Sequence, residues 1–155
     1  MRLTDIQYRG ATESDMGQIS DLLASVRGDV GDLHHEQFLV ACIGGVIFGC
    51  VRIKELANGE KELASLAVAP EWRNRGIGSA LVSKVVSKER RSSVYLHCFQ
   101  DRRAFYARHG FRVANLDELP PAVRDESLRI MTAFAGSEEK VVAMVLTGTV
   151  AEELA

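Results

Sequence analysis

The feature that most constrains this chain is a β-strand pattern that passes through a glycine turn directly into a helical pattern. Residues 61–69 are mostly apolar and stop at Pro70, and apolar residues at helical spacing follow Gly76. Between them the chain reads Arg73-Asn74-Arg75-Gly76-Ile77-Gly78-Ser79. Glycines leave room for an anion to approach the first backbone N–H groups of the helix, which lack partners within it. The segment therefore predicts a phosphate-binding turn.

The spacing of this turn separates it from other phosphate-binding turns. It reads Arg-x-x-Gly-x-Gly, without the Lys-Ser/Thr pair of a P-loop or the G-x-G-x-x-G spacing of dinucleotide-binding folds. Six cations and one acid, Glu89, lie between Arg73 and Arg91, although the whole chain carries a net charge of −2. A pyrophosphate suits this local charge better than a long polyanion does. The spacing alone leaves a solvated basic helix face as the alternative.

Composition excludes several classes of protein. The 155 residues, 46% hydrophobic and 26% charged, predict one ordinary globular domain spanning residues 1–155. A net charge of −2 argues against a nucleic-acid partner. Three cysteines without C-x-x-C spacing, and adjacent His34 and His35 without i, i+4 spacing, predict no metal site and no disulfide framework.

No membrane segment is expected from the sequence. The longest apolar run, Phe38–Val51, is split by two glycines and is shorter than the roughly 20 residues that a membrane helix needs. The first residues, Met1–Asp5, become polar before a signal sequence can develop. We therefore expect a cytoplasmic protein with no membrane partner.

The first half of the chain predicts one helix and a series of strands. Gly44-Gly45 and Asn58-Gly59 are expected to form tight turns between strands. The predicted elements are a strand near Thr4–Arg9, a helix after the capping box Thr12–Asp15, a loop at 27–36 with room for a short helical turn, and strands Gln37–Ile43, Val46–Leu56 and Lys61–Ala69.

The second half predicts a β-α-β crossover followed by helices and two further strands. Its predicted elements are a helix Gly76–Arg90, a strand Ser93–Cys98, a short helix capped by Asp101 and ended by Gly110, a strand Phe111–Asn115, a helix Pro121–Ala135 with Val123, Ile130 and Phe134 in phase, and a strand Val141–Thr147. A strand is the alternative for residues 128–134. Together the elements predict a mixed α/β fold, with a central twisted, largely antiparallel sheet and flanking helices.

The glycine turn resembles motif A of the GNAT acetyltransferase superfamily, in which R/Q-x-x-G-x-G/A follows the fourth strand and cradles the pyrophosphate of acetyl-CoA. A second segment, Ala104–Phe111, is similar to motif B of that family and ends in its Tyr-x-x-x-Gly-Phe signature. The opening Ala11–Asp15 also looks like the entry to the family's first helix. The resemblance covers residues 4 to 112 and returns at the last strand. It implies a GNAT-like fold with acetyl-CoA as co-substrate.

The resemblance also implies how acetyl-CoA is held. Backbone amides along the turn would bind the pyrophosphate, and the strand residues just before it would face the pantetheine and the thioester. One strand N–H would polarise the acetyl carbonyl as an oxyanion donor. The implied cofactor-binding residues are Leu66, Ala67, Val68, Arg73, Asn74, Arg75, Gly76, Ile77, Gly78 and Ser79. Residues 66–68 also fit an ordinary core strand.

Glu62 is the candidate base, because only a neutral amine attacks a thioester. It stands where family members that use a glutamate base place that residue. Strict alternation along the strand would put Glu62 on the same face as Leu66 and Val68, unless a β-bulge intervenes. The alternative is a solvated strand-end carboxylate.

Tyr106 is the candidate acid that donates a proton to the departing CoA thiolate. It stands four residues before Gly110, at the position of the family's usual acid. The alternative is an aromatic side chain that only packs beside Phe105.

These assignments predict direct transfer of an acetyl group from acetyl-CoA to a primary amine in a ternary complex. Asp117–Pro121 resembles glutamate N-acetyltransferases, which favours an amino-acid acceptor among small amines. Protein amines remain open, and so does the oligomeric state, a homodimer included. The alternative function is a non-catalytic acyl-CoA sensor of the same fold.

Overall fold

The structure, a computed structural model, describes residues 2–26, 28 and 30–148. Within these residues, seven strands and four α-helices form the mixed α/β fold that the sequence predicts. The strands are β1 Gln7–Gly10, β2 Phe38–Ile43, β3 Val46–Glu55, β4 Lys61–Val68, β5 Val94–Phe99, β6 Arg112–Ala114 and β7 Val141–Leu146. The helices are α1 Met16–Ser25, α2 Ile77–Ser87, α3 Arg103–Ala107 and α4 Pro121–Ala133. The chain divides into two compact units, and β4 contributes residues to both.

The first unit contains the described residues up to Ile53 together with Leu63–Lys88. Its strands follow the order β1-β2-β3-β4, and both β1–β2 and β2–β3 are antiparallel. Gly44 has a φ of 59° in the turn between β2 and β3, so the predicted hairpin is confirmed.

The core of the first unit lies between its strands and α1. The buried members of this core are Ile19, Leu22, Leu23, Phe38, Val40, Cys42, Ile47, Cys50 and Ala67. Helix α2 lies close to β3 at Gly49, where a Cβ atom would meet Leu81 Cδ1 at 3.2 Å and Ile77 Cγ2 at 3.3 Å. A side chain at this position would therefore have to displace the α2 side chains by a few tenths of an ångström. The predicted apolar stripe of α2 is confirmed, because Ile77, Leu81, Val82 and Val85 are buried.

The second unit contains Lys54–Glu62 and the described residues from Glu89 onward. The first residues of β4 pair in parallel with β5, which pairs antiparallel with β7, and β7 pairs antiparallel with β6. The parallel β4–β5 pair, with α2 between them in sequence, confirms the predicted β-α-β crossover. The buried core residues of this unit are Ala114, Leu119, Val123, Ala143 and Val145.

One prediction for the first unit needs correction. The first strand begins at Gln7 rather than near Thr4, because Leu3–Asp5 form a 3₁₀ turn in which Asp5 Oδ2 accepts a hydrogen bond from the Arg2 N–H. The short helical turn expected in the loop at 27–36 is found at its end, as the 3₁₀ turn His35–Gln37. Arg27 and Asp29 of that loop lie outside the described residues.

Two predictions for the second unit also need correction. Asp101 does not cap α3, because it lies inside a 3₁₀ turn, Gln100–Arg102, and Arg102 occupies the N-cap. Helix α4 is confirmed over the strand alternative, but Phe134 is 42% exposed and Ser127 takes the buried position beside Val123. None of the helices within the described ranges has both the length and the apolarity to cross a membrane.

Candidate active site

The glycine turn lies in the first unit, between the end of β4 and the start of α2. A 3₁₀ turn, Pro70–Trp72, follows β4, and two left-handed residues then reverse the chain, Asn74 with φ 62° and Gly76 with φ 80°. Gly76 is the N-cap of α2, and its carbonyl accepts a hydrogen bond from the Ala80 N–H at 3.0 Å. A Cβ at Gly76 would meet no atom within 4 Å, so the backbone conformation and not crowding requires this glycine.

Two arginines fix the entry to this turn. Arg73 Nε donates to the Val68 carbonyl at 3.1 Å, and the Arg75 guanidinium lies 5.0 Å from the centre of the Trp72 ring. Trp72 in turn stacks on Phe48, with 4.1 Å between ring centres and 11° between planes. Both arginines are exposed, and no acidic residue occurs between Arg73 and Lys88. The exposed N-terminus of an 11-residue helix beside two cations fits a diphosphate group.

The strand before the turn is interrupted at Ser65, whose φ is 57°. Side chains alternate between faces only where the backbone stays extended. The irregular residue that would break the count is therefore present, and alternation gives no shared face for Glu62, Leu66 and Val68. Ala67 is buried and Leu66 and Val68 are half-buried, and the role of residues 66–68 toward a thioester stays a prediction.

Glu62 lies in the second unit and is only 3% exposed. Its Oε1 is 3.8 Å from Lys54 Nζ, and its Oε2 is 3.3 Å from His97 Nδ1. The solvated alternative for Glu62 is therefore wrong. Glu62 is instead a buried carboxyl group that lies between a lysine and a histidine.

His97 and Ser127 were missed as members of this site by sequence reasoning. His97 Nε2 lies 2.5 Å from Ser127 Oγ, and the His97 side chain is only 5% exposed. The register Glu62↔Tyr95 between β4 and β5 brings His97 into contact with Glu62. No local spacing signals this contact, because strand pairing and the packing of α4 create it.

Tyr106 lies on α3, in the second unit. Its ring packs edge-on against Phe105 and Phe111, with centres 5.0 and 6.1 Å away. Burial raises the pKa of Tyr106 to about 12, and a repulsive contribution from Cys98 acts in the same direction. The phenol is therefore protonated at neutral pH and can donate a hydrogen bond.

The cofactor-binding candidates thus belong to the first unit and the two catalytic candidates to the second. The turn residues 73–79 are contiguous and partly held by their own contacts, whereas Glu62 and Tyr106 have separate sets of partners. Across the described residues, no cluster of three or more His, Cys, Asp or Glu side chains could hold a metal ion.

Comparison with known proteins gives a consistent family assignment. The Acetyltransferase (GNAT) domain family matches residues 34–113, a range that includes Glu62, the turn 73–79 and Tyr106. The amino-acid acetyltransferase of Pseudomonas putida is 31% identical over 126 residues, which are 74% of this chain and 29% of that protein. The chain therefore spans less than a third of the length of the curated relatives it matches.

Solved structures show the same fold. N-acetylglutamate synthase from Neisseria gonorrhoeae, complexed with coenzyme A and N-acetyl-glutamate, superposes with a TM-score of 0.71 at 23% identity over 91% of this chain and 35% of that one. Rv2747 from Mycobacterium tuberculosis, in complex with CoA, gives a TM-score of 0.74 at 24% identity over 91% and 98% of the two chains. On the family match and the 31% identical relative, this chain belongs to the GNAT acetyltransferase family.

Proposed function

We propose that residues 1–155 form an N-acetyltransferase domain that transfers the acetyl group of acetyl-CoA to the amine of an amino acid. The observation that carries the proposal is the GNAT family match, because residues 34–113 enclose Glu62, the turn 73–79 and Tyr106. The amino-acid acceptor is supported by relatives named amino-acid acetyltransferases and by the N-acetyl-glutamate complex of the Neisseria gonorrhoeae enzyme.

Acetyl-CoA binds in this proposal through its pyrophosphate at the N-terminus of α2. Gly76 and Asn74 turn the backbone so that N–H groups face the phosphates, and Arg73 and Arg75 add positive charge at the same end. The helix dipole favours the anion there as well. A strand N–H among residues 66–68 stabilises the negative charge that develops on the acetyl oxygen.

Glu62 removes the proton that makes the acceptor amine unreactive. Because its side chain is almost fully buried, a water molecule relays the proton between the ammonium and the carboxylate. The neutral amine then attacks the thioester carbonyl to form the C–N bond, and its nitrogen loses a second proton to water. The C–S bond breaks as the tetrahedral intermediate collapses, and the CoA thiolate leaves. Tyr106 donates a hydrogen bond or proton to this thiolate.

The cysteines support direct attack over an acyl-cysteine intermediate. Burial raises the pKa of Cys50 to about 12 and that of Cys98 to about 11. A thiol with such a pKa is almost entirely protonated at neutral pH, and the thiolate is the nucleophilic form. Cys42, the third cysteine, is fully buried.

The test is release of free thiol from acetyl-CoA in the presence of separate amino acids, small amines and peptides with a free N-terminus. We expect turnover with at least one amino acid and an acetylated product in mass spectra. Turnover only with peptides or polyamines would contradict the amino-acid acceptor.

A thermal melt with acetyl-CoA completes the test. A ligand at 100 times its dissociation constant stabilises the native state by about 2.7 kcal/mol, so acetyl-CoA should raise the melting temperature. Stabilisation without turnover on any amine would favour the acyl-CoA sensor. An unchanged melting temperature would contradict both functions.

A further inference from the structure

A chain of buried polar side chains links β4, β5 and α4 in the second unit. Glu62 Oε2 lies 3.3 Å from His97 Nδ1, and His97 Nε2 lies 2.5 Å from Ser127 Oγ. Ser127 is fully buried, and the side chains of Glu62 and His97 are 4% and 5% exposed. Three polar groups buried this deeply must share their protons in a defined way, because an unmatched donor or acceptor costs free energy.

Ser127 determines which nitrogen of His97 carries the proton. Its Oγ donates to the Val123 carbonyl, four residues earlier in α4, at 2.8 Å. A hydroxyl has one proton to donate, so while Ser127 donates to Val123 its Oγ accepts from His97, and Nε2 is then the protonated nitrogen. The neutral imidazole therefore presents an unprotonated Nδ1 toward Glu62.

The contact between His97 and Glu62 agrees with this tautomer. Among the described residues, Glu62 Oε2 and His97 Nδ1 are buried atoms without a hydrogen-bond partner, although they lie 3.3 Å apart. Two acceptors that face each other form no hydrogen bond. A proton that arrives at either atom is shared with the other, so the pair is a proton-accepting site.

Charged and titratable side chains on the neighbouring elements lie around this pair. Lys54 on β3 lies 3.8 Å from the other oxygen of Glu62. On α4, a hydrogen bond from Arg129 lowers the pKa of Glu126, and the charges of Lys54 and His97 contribute in the same direction. Tyr95, two residues before His97 on β5, is half-buried, and burial raises its pKa so that it stays neutral.

We propose that His97 receives the acceptor's proton from Glu62, in the tautomer that Ser127 fixes. The Glu62 carboxylate takes the proton of the ammonium through the relaying water, which leaves a neutral amine. The O–H bond at Glu62 Oε2 then breaks as an N–H bond forms at His97 Nδ1, so the carboxylate is ionised again and the imidazolium donates to Ser127 through Nε2. His97 acts through Glu62 and is a positioning residue. The inference rests on the proposed function.

The first test is the nitrogen-15 NMR spectrum of the His97 ring in the full chain without ligands. We expect the neutral ring as the Nε2–H tautomer, and a mixture of tautomers in Ser127→Ala. A neutral ring protonated at Nδ1 would overturn the proposal, because Glu62 would then face a donor. This readout needs no turnover.

The second test is the pH dependence of turnover in His97→Gln, which keeps a polar side chain but cannot accept a proton. We expect a loss of about 10- to 100-fold at neutral pH, below the roughly 10²–10⁴-fold range for a general base, because Glu62 still accepts the proton first. The loss should shrink as pH rises, because more of the amine is already neutral. The matched control is His109→Gln in the same unit, with turnover near wild type.

The outcomes distinguish the proton transfer from Glu62 to His97, which we call the relay, from the proposed function. A folded His97→Gln variant with wild-type turnover, or with a loss that does not change with pH, overturns the relay and leaves the N-acetyltransferase intact. If His97→Gln does not fold, Ser127→Ala takes its place. We then expect a smaller loss of turnover that shrinks as pH rises, and wild-type turnover or a loss that does not change with pH overturns the relay. Absence of wild-type turnover on every amine overturns the proposed function, and with it the relay, whatever the tautomer.

Discussion

The fully buried guanidinium of Arg52 donates from Nε to Ser65 Oγ at 2.9 Å, at the residue where β4 turns left-handed. Its other nitrogens donate to the carbonyls of Asp32 at 3.1 Å and Gly31 at 3.3 Å. One side chain therefore holds the irregular position of β4 and the loop before β2 together. The left-handed serine costs backbone free energy, and a contact of this kind offsets that cost.

Arg52→Met should destabilise the protein by about 2–5 kcal/mol, because it removes several buried donors at once. Methionine fills much of the same volume, so lost hydrogen bonds rather than a cavity would dominate the change. Urea unfolding measures the free energy, and the exposed Arg91→Met is the control, expected within about 0.5 kcal/mol of wild type. A similarly small change in Arg52→Met would show that Arg52 does not hold Ser65.

The contacts of Asp15 predict how the stability of the fold changes as pH falls. A hydrogen bond from Arg9, Nη1 to Oδ2 at 2.7 Å, and one from the Thr12 N–H at 2.8 Å hold the pKa of this buried carboxyl well below its usual range. A lowered pKa stabilises the fold above the unfolded value of about 3.9, and this contribution is lost as pH falls from about 5.

Asp15→Asn should therefore cost about 1–2 kcal/mol at pH 7, because it removes the charge that strengthens the hydrogen bonds from Arg9 and the Thr12 N–H. The variant should also lose less stability than wild type between pH 5 and pH 2. Chemical denaturation at several pH values measures both quantities, and Asp21→Asn, at an exposed position of α1, is the control. Equal acid sensitivity in Asp15→Asn and wild type would exclude Asp15 as a source of that sensitivity.

Gly78→Glu should abolish acetyl-CoA binding and leave the secondary structure intact. Gly78 lies in the first turn of α2, where a glutamate brings bulk and negative charge to the proposed anion site. Calorimetry measures the affinity, and circular dichroism checks the fold. Gly136→Glu, which adds the same side chain at an exposed position, should bind normally. Unchanged affinity in a folded Gly78→Glu variant would show that acetyl-CoA does not bind at this turn.

Glu62→Gln should lower turnover by roughly 10²–10⁴-fold at neutral pH, because it keeps the shape of the side chain and removes the base. The defect should shrink as pH rises, since more of the acceptor amine is then neutral. The control is Glu60→Gln, two residues earlier, with turnover near wild type. A loss of equal size at every pH would show that Glu62 supports the site without accepting a proton.

Local signals made much of the fold predictable. The Gly44-Gly45 hairpin, the apolar stripe of α2 and the strand-turn-helix order around Gly76 each follow from residues that are neighbours in sequence. The family resemblance supplied Glu62 and Tyr106 as candidates. These parts needed no knowledge of how distant strands pair.

The remaining features depend on contacts that no short segment contains. Glu62, His97 and Ser127 meet only after β4 pairs with β5 and α4 packs nearby. The positive φ of Ser65 is also hidden from sequence, because non-glycine residues rarely adopt it. Alternation therefore failed in β4, while simpler strands such as β5 and β7 matched their predicted ranges closely.

Tyr106→Phe should lower turnover by about 10- to 100-fold with acetyl-CoA affinity nearly unchanged, because it deletes one hydroxyl and keeps the ring beside Phe105 and Phe111. With a pKa raised to about 12 by burial, full proton transfer to a thiolate whose conjugate acid has a pKa of about 8.5 is uphill by about 5 kcal/mol. Hydrogen bonding to the thiolate is therefore the larger part of the expected role, which is why the loss is modest.

The raised pKa of Tyr106 also determines how the effect of Tyr106→Phe on turnover changes with pH. Tyr106 should stay protonated through pH 10, so the ratio of wild-type to Tyr106→Phe turnover should be constant between pH 7 and pH 10. Steady-state kinetics at saturating acetyl-CoA measures this ratio, with Tyr95→Phe in the same unit as the control. A ratio near one would leave Tyr106 as a packing residue. A ratio that falls above pH 9 would mean that the tyrosine ionises near its ordinary pKa of about 10, and that burial does not keep its proton in place.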